Sequence, residues 1–474
     1  MALPPEMTLY ARVADALASD IRKGLYAPGD RLPSVRELTR RLGVSTSTVV
    51  EAFGQLLDRG LVVSRPQTGF FVRSESASLA TPGMSRPRVV PTTVSTGDIA
   101  MEVVQATGDP ALVAFGSALP NIELAAPRAV RRLLAQAARA TKCLAYTTPP
   151  GHSELRVQIA RRAVDAGCDV SAEDVVITSG CQEAVVLCLR AIANPGDTIA
   201  VESPTFYGTL QAIQSLGLRV LEIPTHPETG IHLEALEMAI EQFPIKGCVV
   251  TPEASNPLGT TMSDDRKLAL LRILESRDVP LIEEDLYGDL VFGVSRPRAI
   301  KAWDTKGSVL LCSSVSKTIA PGLRVGWAIA GRYARQVSYL KLVSSMASAT
   351  LPQMAVAEYL SSGAYDRHMR AARSAYSQSR DRLIELVTLR FPPGTKVTRP
   401  SGGFVAWLEL PGDVDTVNLY RRALSEGISV APGPLFSARG KYRSFIRLNF
   451  AGLWDERARK AFERLGALAA DVES

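Results

Sequence analysis

Between residues 174 and 314 the sequence keeps switching between two apolar patterns. DVVITSG is followed by CQEAVVLCLRAIA and DTIAVES by YGTLQAIQSLG, and then come GCVVTPE, DVPLIEED and SVLLCSS. The short β-branched runs suit strands buried on both faces, whereas the stretches between them carry apolar residues at helical spacing. Strands joined through helices pair in parallel, because each crossover helix must lie on a face of the sheet. The expected architecture here is an α/β structure with a mostly parallel sheet.

This pattern does not extend to the N-terminus. Residues 74–96, SESASLATPGMSRPRVVPTTVST, are rich in Ser and Thr, include three prolines and show no apolar period, which reads as a linker. The expected division is a small module over residues 1–73, a linker over 74–111 and a large module over 112–474. A chain of 474 residues has room for such a division.

In the small module, Leu9, Val13, Ala16, Leu17 and Ile21 fall on one helical face. After PGD, the segments LPSVRELTRRLG and VSTSTVVEAFGQLLDRG read as two further helices separated by Gly43 and Val44, with Ser45 capping the second. A short Gly-containing turn between two helices is the helix-turn-helix pattern. LVVSRPQTGFFVR then supplies two β-like runs around a tip at Arg65 to Gly69, a wing. Val49, Phe53, Leu56 and Leu57 are expected in the core.

Bulk charge excludes little: the formal net charge is +6, with 10 Lys/Arg against 8 Asp/Glu in residues 1–75. The six cysteines are scattered without a CxxC pair and there are four histidines, so neither a zinc site nor a disulfide framework is suggested. No run of about 18 apolar residues points to a membrane span. A reducing, cytoplasmic setting without membrane contact is expected.

The small module resembles the GntR-type winged helix along PGDRLPSVRELTRRLGVSTSTVVEAFGQLLDRGLVVSRPQTGFFV. The resemblance implies a double-stranded DNA operator, with Ser45, Thr46, Ser47 and Thr48 in the major groove, Arg31 and Arg36 near the duplex, and Arg65 and Thr68 on the wing. Family members often carry arginine where Thr46 stands, so base specificity is expected to lean on Arg36 or on DNA shape.

In the large module, DVVITSGCQEAV places the amides of Gly180, Cys181 and Gln182 at a helix N-terminus, which favours a phosphate. SPTFYG offers Phe206 to cover a planar ring, TPEASNPLGT sets Asn256 in a turn, and LIEEDLYGDL ends an apolar strand with acids and Tyr287 at the edge where α/β folds hold ligands. SSVSKTIAPGLRVGW adds Lys317 and Arg324. In this order the elements resemble fold-type I pyridoxal-phosphate enzymes of the aminotransferase family, with a small C-terminal α+β subdomain. Joined to the winged helix, the whole chain resembles the MocR-type regulators.

That resemblance implies pyridoxal 5'-phosphate as cofactor, anchored through an imine at Lys317. Ser314, Ser316, Arg324 and the 180–182 turn would hold the phosphate, and Asn256 and Tyr287 would bond the ring hydroxyl. Tyr146 in YTTPPGHSELR would reach the phosphate site of a second subunit, implying a homodimer. Arg447 in SFIRLNF would grip a ligand carboxylate. The ring nitrogen needs a carboxylate three residues before the tyrosine, where this chain has Glu284 in place of aspartate; Asp285 lies only two before. Adjacent strand residues face opposite ways, so one of the two faces the ring. Spacing favours Glu284 and residue type favours Asp285. Two functions follow: a regulator that senses the cofactor, an amino acid or an amine, or an active aminotransferase that carries a DNA-binding module.

Overall fold

The computed structural model describes residues 8–27, 30–65, 69–72, 79–106, 108–124, 127–293, 295–452 and 454–471. The chain divides into two units, residues 1–78 and 79–474.

The first unit contains α1 (Leu9–Arg22), α2 (Val35–Leu42), α3 (Thr46–Asp58) and an antiparallel pair, β1 (Val62–Arg65) and β2 (Gly69–Val72). Ser34 accepts from the Glu37 amide at 3.3 Å to start α2, and Gly43 ends it in the left-handed conformation with φ +65. Val13, Leu17, Leu38, Val49, Phe53, Leu56, Val62 and Val72 close one core, in which the rings of Phe53 and Phe70 stack at 4.0 Å. Two expectations need correction. On α1, which packs against α3, the buried stripe runs through Val13, Ala14, Leu17 and Ala18, leaving Leu9 half-exposed and Ala16 outside. Leu57 is likewise on the surface, one position past the buried Leu56.

The second unit begins with α4 (Gly97–Ala106) and β3 (Val113–Ala114), followed by α5 (Pro127–Ala137) and α6 (Ser153–Asp165). Its main sheet is built from β4 (Val175–Thr178), β5 (Thr198–Ser203), β6 (Arg219–His226), β7 (Gly230–Ile231), β8 (Ile245–Val250), β9 (Leu281–Glu284), β10 (Val309–Ser314) and β11 (Gly326–Ile329), with α7 (Cys181–Ile192) after β4 and α8 (Tyr207–Ser215) after β5. The order is β4-β11-β10-β9-β8-β5-β6-β7, and the neighbours from β10 to β6 are parallel. β11 is antiparallel to both of its neighbours, and β7 is antiparallel to β6. The apolar runs of the sequence are the central strands, buried on both faces as their composition requires. A smaller antiparallel sheet of β12 (Lys396–Val397), β13 (Val405–Glu409), β15 (Ala431–Pro432) and β16 (Phe445–Asn449) forms the C-terminal subdomain; β14 (Ile428–Ser429) pairs with β3 instead.

The expected linker is shorter than 74–111. From residue 79 the chain packs on the second unit: Thr92 bridges Val220, the Ser85 hydroxyl accepts from the Thr225 amide at 2.8 Å, and Val94, Ala100 and Val103 are buried. Ser and Pro made this stretch look solvated, yet its few apolar residues find a ready-made surface. Among the described residues no helix is long and apolar enough to cross a membrane.

Candidate functional site

The carboxyl ends of β4, β5, β9 and β10 bring four separate stretches of sequence together. β10 runs into the turn that carries Lys317, whose Nζ donates to the Ala118 carbonyl at 2.7 Å. Burial, and then the nearby Arg447 guanidinium, push this amine down to about 8. In the same turn the Ser314 hydroxyl accepts from the Ser316 amide at 3.3 Å, while the Ser316 hydroxyl is buried without a hydrogen-bond partner.

β4 ends at the Ser179–Gly180 turn that opens α7. Arg324, in a left-handed conformation, reaches under this turn and donates to the Ser179 carbonyl at 2.8 Å. The fit is close: at Gly180, φ +97, a β-carbon would lie 2.5 Å from an Arg324 nitrogen, and one at Gly326 would lie 2.5 Å from the Gly180 backbone. Only glycine satisfies both the dihedral and the space. The first amides of α7, at Cys181 and Gln182, are thus backed by a guanidinium, while the Gln182 side chain ties α7 to the Gly208 carbonyl at 2.7 Å.

β9 separates the two acids. Glu284 is buried and accepts from the Thr209 hydroxyl at 2.7 Å, with Thr251 as a second hydroxyl partner. It lies near Cys181 and Tyr287, raising both, although burial is the larger cause in each case. Asp285 turns to the other face, where it pairs with Arg296 at 2.5 Å and accepts from the Gly288 amide. Arg296 is held from its other side by Asp289, and these residues, with Cys168, Ser314, Trp327 and Tyr365, line a cavity of about 50 Å³. Burial holds the Glu284 carboxyl above the usual carboxylate range.

Asn256 and Arg447 complete the near side. Arg447, fully buried on β16, donates to the Asn256 amide oxygen at 3.1 Å and to the Gly116 carbonyl, and lies 5.1 Å from the Phe436 ring. Tyr207 hydrogen-bonds it as well. Phe206 is half-buried beside Tyr207, their rings 4.6 Å apart. Tyr287 is buried, and its raised phenol stays neutral and able to donate. Tyr146 is not gathered here: it is 83% exposed. Motif reading missed Tyr207, Thr209 and Thr251. Tyr207 was within reach, since it adjoins Phe206, but the threonines bond a glutamate many residues away and leave no local mark.

The match to known proteins divides as the chain does. Residues 115–465 match the family model for aminotransferase class I and II, and residues 9–72 match that of the bacterial regulatory proteins of the gntR family. The HTH-type transcriptional regulator YjiR of Escherichia coli strain K12 is 41% identical over 462 residues, 97% of this chain and 98% of that one. The chain belongs to the MocR-type regulators. Unlike its full-length MocR-type relatives, aromatic-amino-acid aminotransferase 1 of Thermococcus litoralis aligns with this chain over only 335 residues, 69% of it and 80% of the relative, at 32% identity. The crystal structure of LysN, an alpha-aminoadipate aminotransferase from Thermus thermophilus complexed with N-(5'-phosphopyridoxyl)-L-leucine, superposes with a TM-score of 0.73 at 28% identity, covering 79% of this chain and 95% of that one.

In the first unit of this MocR-type chain, Ser45 caps α3 by accepting from the Thr48 amide at 3.1 Å, and its hydroxyl lies 2.8 Å from those of both Ser47 and Thr48. Thr46 and Ser47 are exposed, as is Arg36 on α2. Arg31 is exposed but lies along the wing, with its Nε 3.3 Å from where a Gly69 β-carbon would be. Thr68 and the side chain of Arg65 lie outside the described residues.

Proposed function

We propose that the chain is a cytoplasmic, DNA-binding transcriptional regulator whose second unit holds pyridoxal 5'-phosphate and reports the presence of an amino acid or amine. The observation that carries this reading is the convergence, on a chain that also bears a capped helix-turn-helix, of a depressed lysine amine, a glycine turn backed by arginine, and a buried acid. The residues present fit that group. The unpartnered Ser316 hydroxyl, the Arg324 guanidinium and the amides of Gly180, Cys181 and Gln182 form the kind of donor set a phosphate dianion needs.

When bound, the cofactor supplies an aldehyde carbon and an electron-withdrawing ring. The chain supplies the rest. At pH 7 an amine with a pKa of about 8 is neutral in about a tenth of molecules, far more than an ordinary lysine, so Lys317 is poised as a nucleophile. Glu284, rather than Asp285, would hold the proton at the ring nitrogen, Asn256 and Tyr287 would donate to the ring hydroxyl, and Phe206 would cover the ring. Arg447 takes the carboxylate of an amino-acid effector in two parallel bonds. Tyr146 serves the site of a second copy, so the working form is a homodimer.

Regulation requires that the effector bind two states of the protein with different affinity. Mobility-shift titration of the full chain on its operator tests this: operator affinity should change on adding cofactor and then amines, and unchanged affinity throughout would overturn sensing. The complete set of Lys317, Glu284 and Arg447 also favours a second reading, aminotransferase activity. Robust turnover of amino and keto acids that is lost in Lys317→Ala would establish it.

A further inference from the structure

The helix expected to enter the major groove has an unusual surface. Along α3, TSTVVEAFGQLLD, there is no lysine or arginine. Its buried side, Val49, Ala52, Phe53 and Leu56, faces the core. The outward ridge at successive fourth positions is Thr46, Val50 and Gly54, with Ser47 and Glu51 beside it. Val50 is 52% exposed, and a β-carbon on Gly54 would meet nothing within 4 Å, so the ridge is low and open around the valine.

Such a surface restricts what can be read. Bidentate recognition of guanine needs arginine or lysine, which α3 lacks, and its exposed carboxylate, Glu51, stands beside the ridge and suits only a cytosine amino group. Anchoring therefore falls to Arg36, Arg40 and Arg41, all exposed on α2, which crosses the backbone in this docking geometry. What α3 offers the base edges is a hydroxyl at Thr46 and Ser47 and a pair of methyls at Val50. In the major groove, the only methyl that distinguishes a base pair is the 5-methyl of thymine.

We infer that Val50 is a specificity-determining residue, which selects a T·A pair in the operator by packing its methyls on the thymine 5-methyl. This rests on the DNA-binding reading above and adds the feature of the operator that α3 reads. Because Val50 lies outside the hydrophobic core of its unit, its replacement leaves the fold intact.

The test uses the full chain and duplexes that it captures from a random-sequence pool. In the captured site, each thymine is replaced in turn by deoxyuracil, which removes the methyl alone. At one position per half-site, the wild type should lose affinity by about fourfold, the loss expected for one buried methyl group. Val50→Ala should bind the thymine and uracil duplexes equally, while Val50→Thr, which keeps one methyl, should still discriminate. Binding that is insensitive to every uracil replacement, or a methyl effect that persists undiminished in Val50→Ala, overturns the inference while leaving DNA binding intact. Capture of no duplex at all overturns both.

Discussion

Glu284 and Asp285 are adjacent acids with opposite assignments. Asp285 neutralises the buried Arg296, so Asp285→Asn should destabilise the chain by about 3 kcal/mol in denaturant unfolding, as expected when one partner of a buried ion pair is removed. It should leave the visible absorption of bound cofactor nearly unchanged. Glu284→Gln should do the reverse, altering that absorption with a smaller stability loss, since a glutamine oxygen still accepts from Thr209. Spacing from Tyr287 already favoured Glu284; which way it points depends on β9 facing α7 and α8 on one side and Arg296 on the other. Lys317 makes a second prediction. Only the neutral amine attacks an aldehyde, so the rate of cofactor capture by the apo protein should rise about tenfold per pH unit up to about pH 8 and then level off, as followed by the growth of visible absorbance. An ordinary lysine would keep rising past pH 10.

Two turns shape the site. The β4–α7 turn needs glycine at 180 for its positive φ and for the Arg324 guanidinium beneath it; Gly180→Ala should cost cofactor affinity tenfold or more, read by equilibrium titration, about what a displaced charge-assisted contact removes. The turn before α3 depends on the Ser45 hydroxyl, so Ser45→Ala should lower the stability of the first unit by about 1 kcal/mol in thermal unfolding. Both turns could be read from the sequence, because capping and glycine rules act within four residues. β11 was not singled out as a strand: its four residues, GWAI, run against their neighbours, and short antiparallel strands leave little periodicity to detect.

At the scale of the whole molecule, residues 79–111 matter more than their composition suggests. A fragment starting at Leu79 should unfold cooperatively, whereas one starting at residue 112 should lose about 4 kcal/mol in denaturant unfolding, since Val94, Ala100 and Val103 then leave their cavities empty. Stability should also depend on pH. Burial pushes Glu202 up to about 8 and Glu283 to about 7, so the native state holds protons that the unfolded chain has released above about pH 4.5; the stability these carboxyls contribute at low pH is lost as pH rises through 7 to 8. Glu202→Gln should flatten that fall in a melting series. The amino-acid order alone was enough to specify the two modules, the strand–helix alternation and the caps, because each depends on neighbours a few positions apart. The partners that Glu284, Arg324 and Arg447 meet across the site, and the docking of residues 79–106, lie tens to hundreds of positions away. Their choice was left to packing, which alone settles which face of a strand meets which helix.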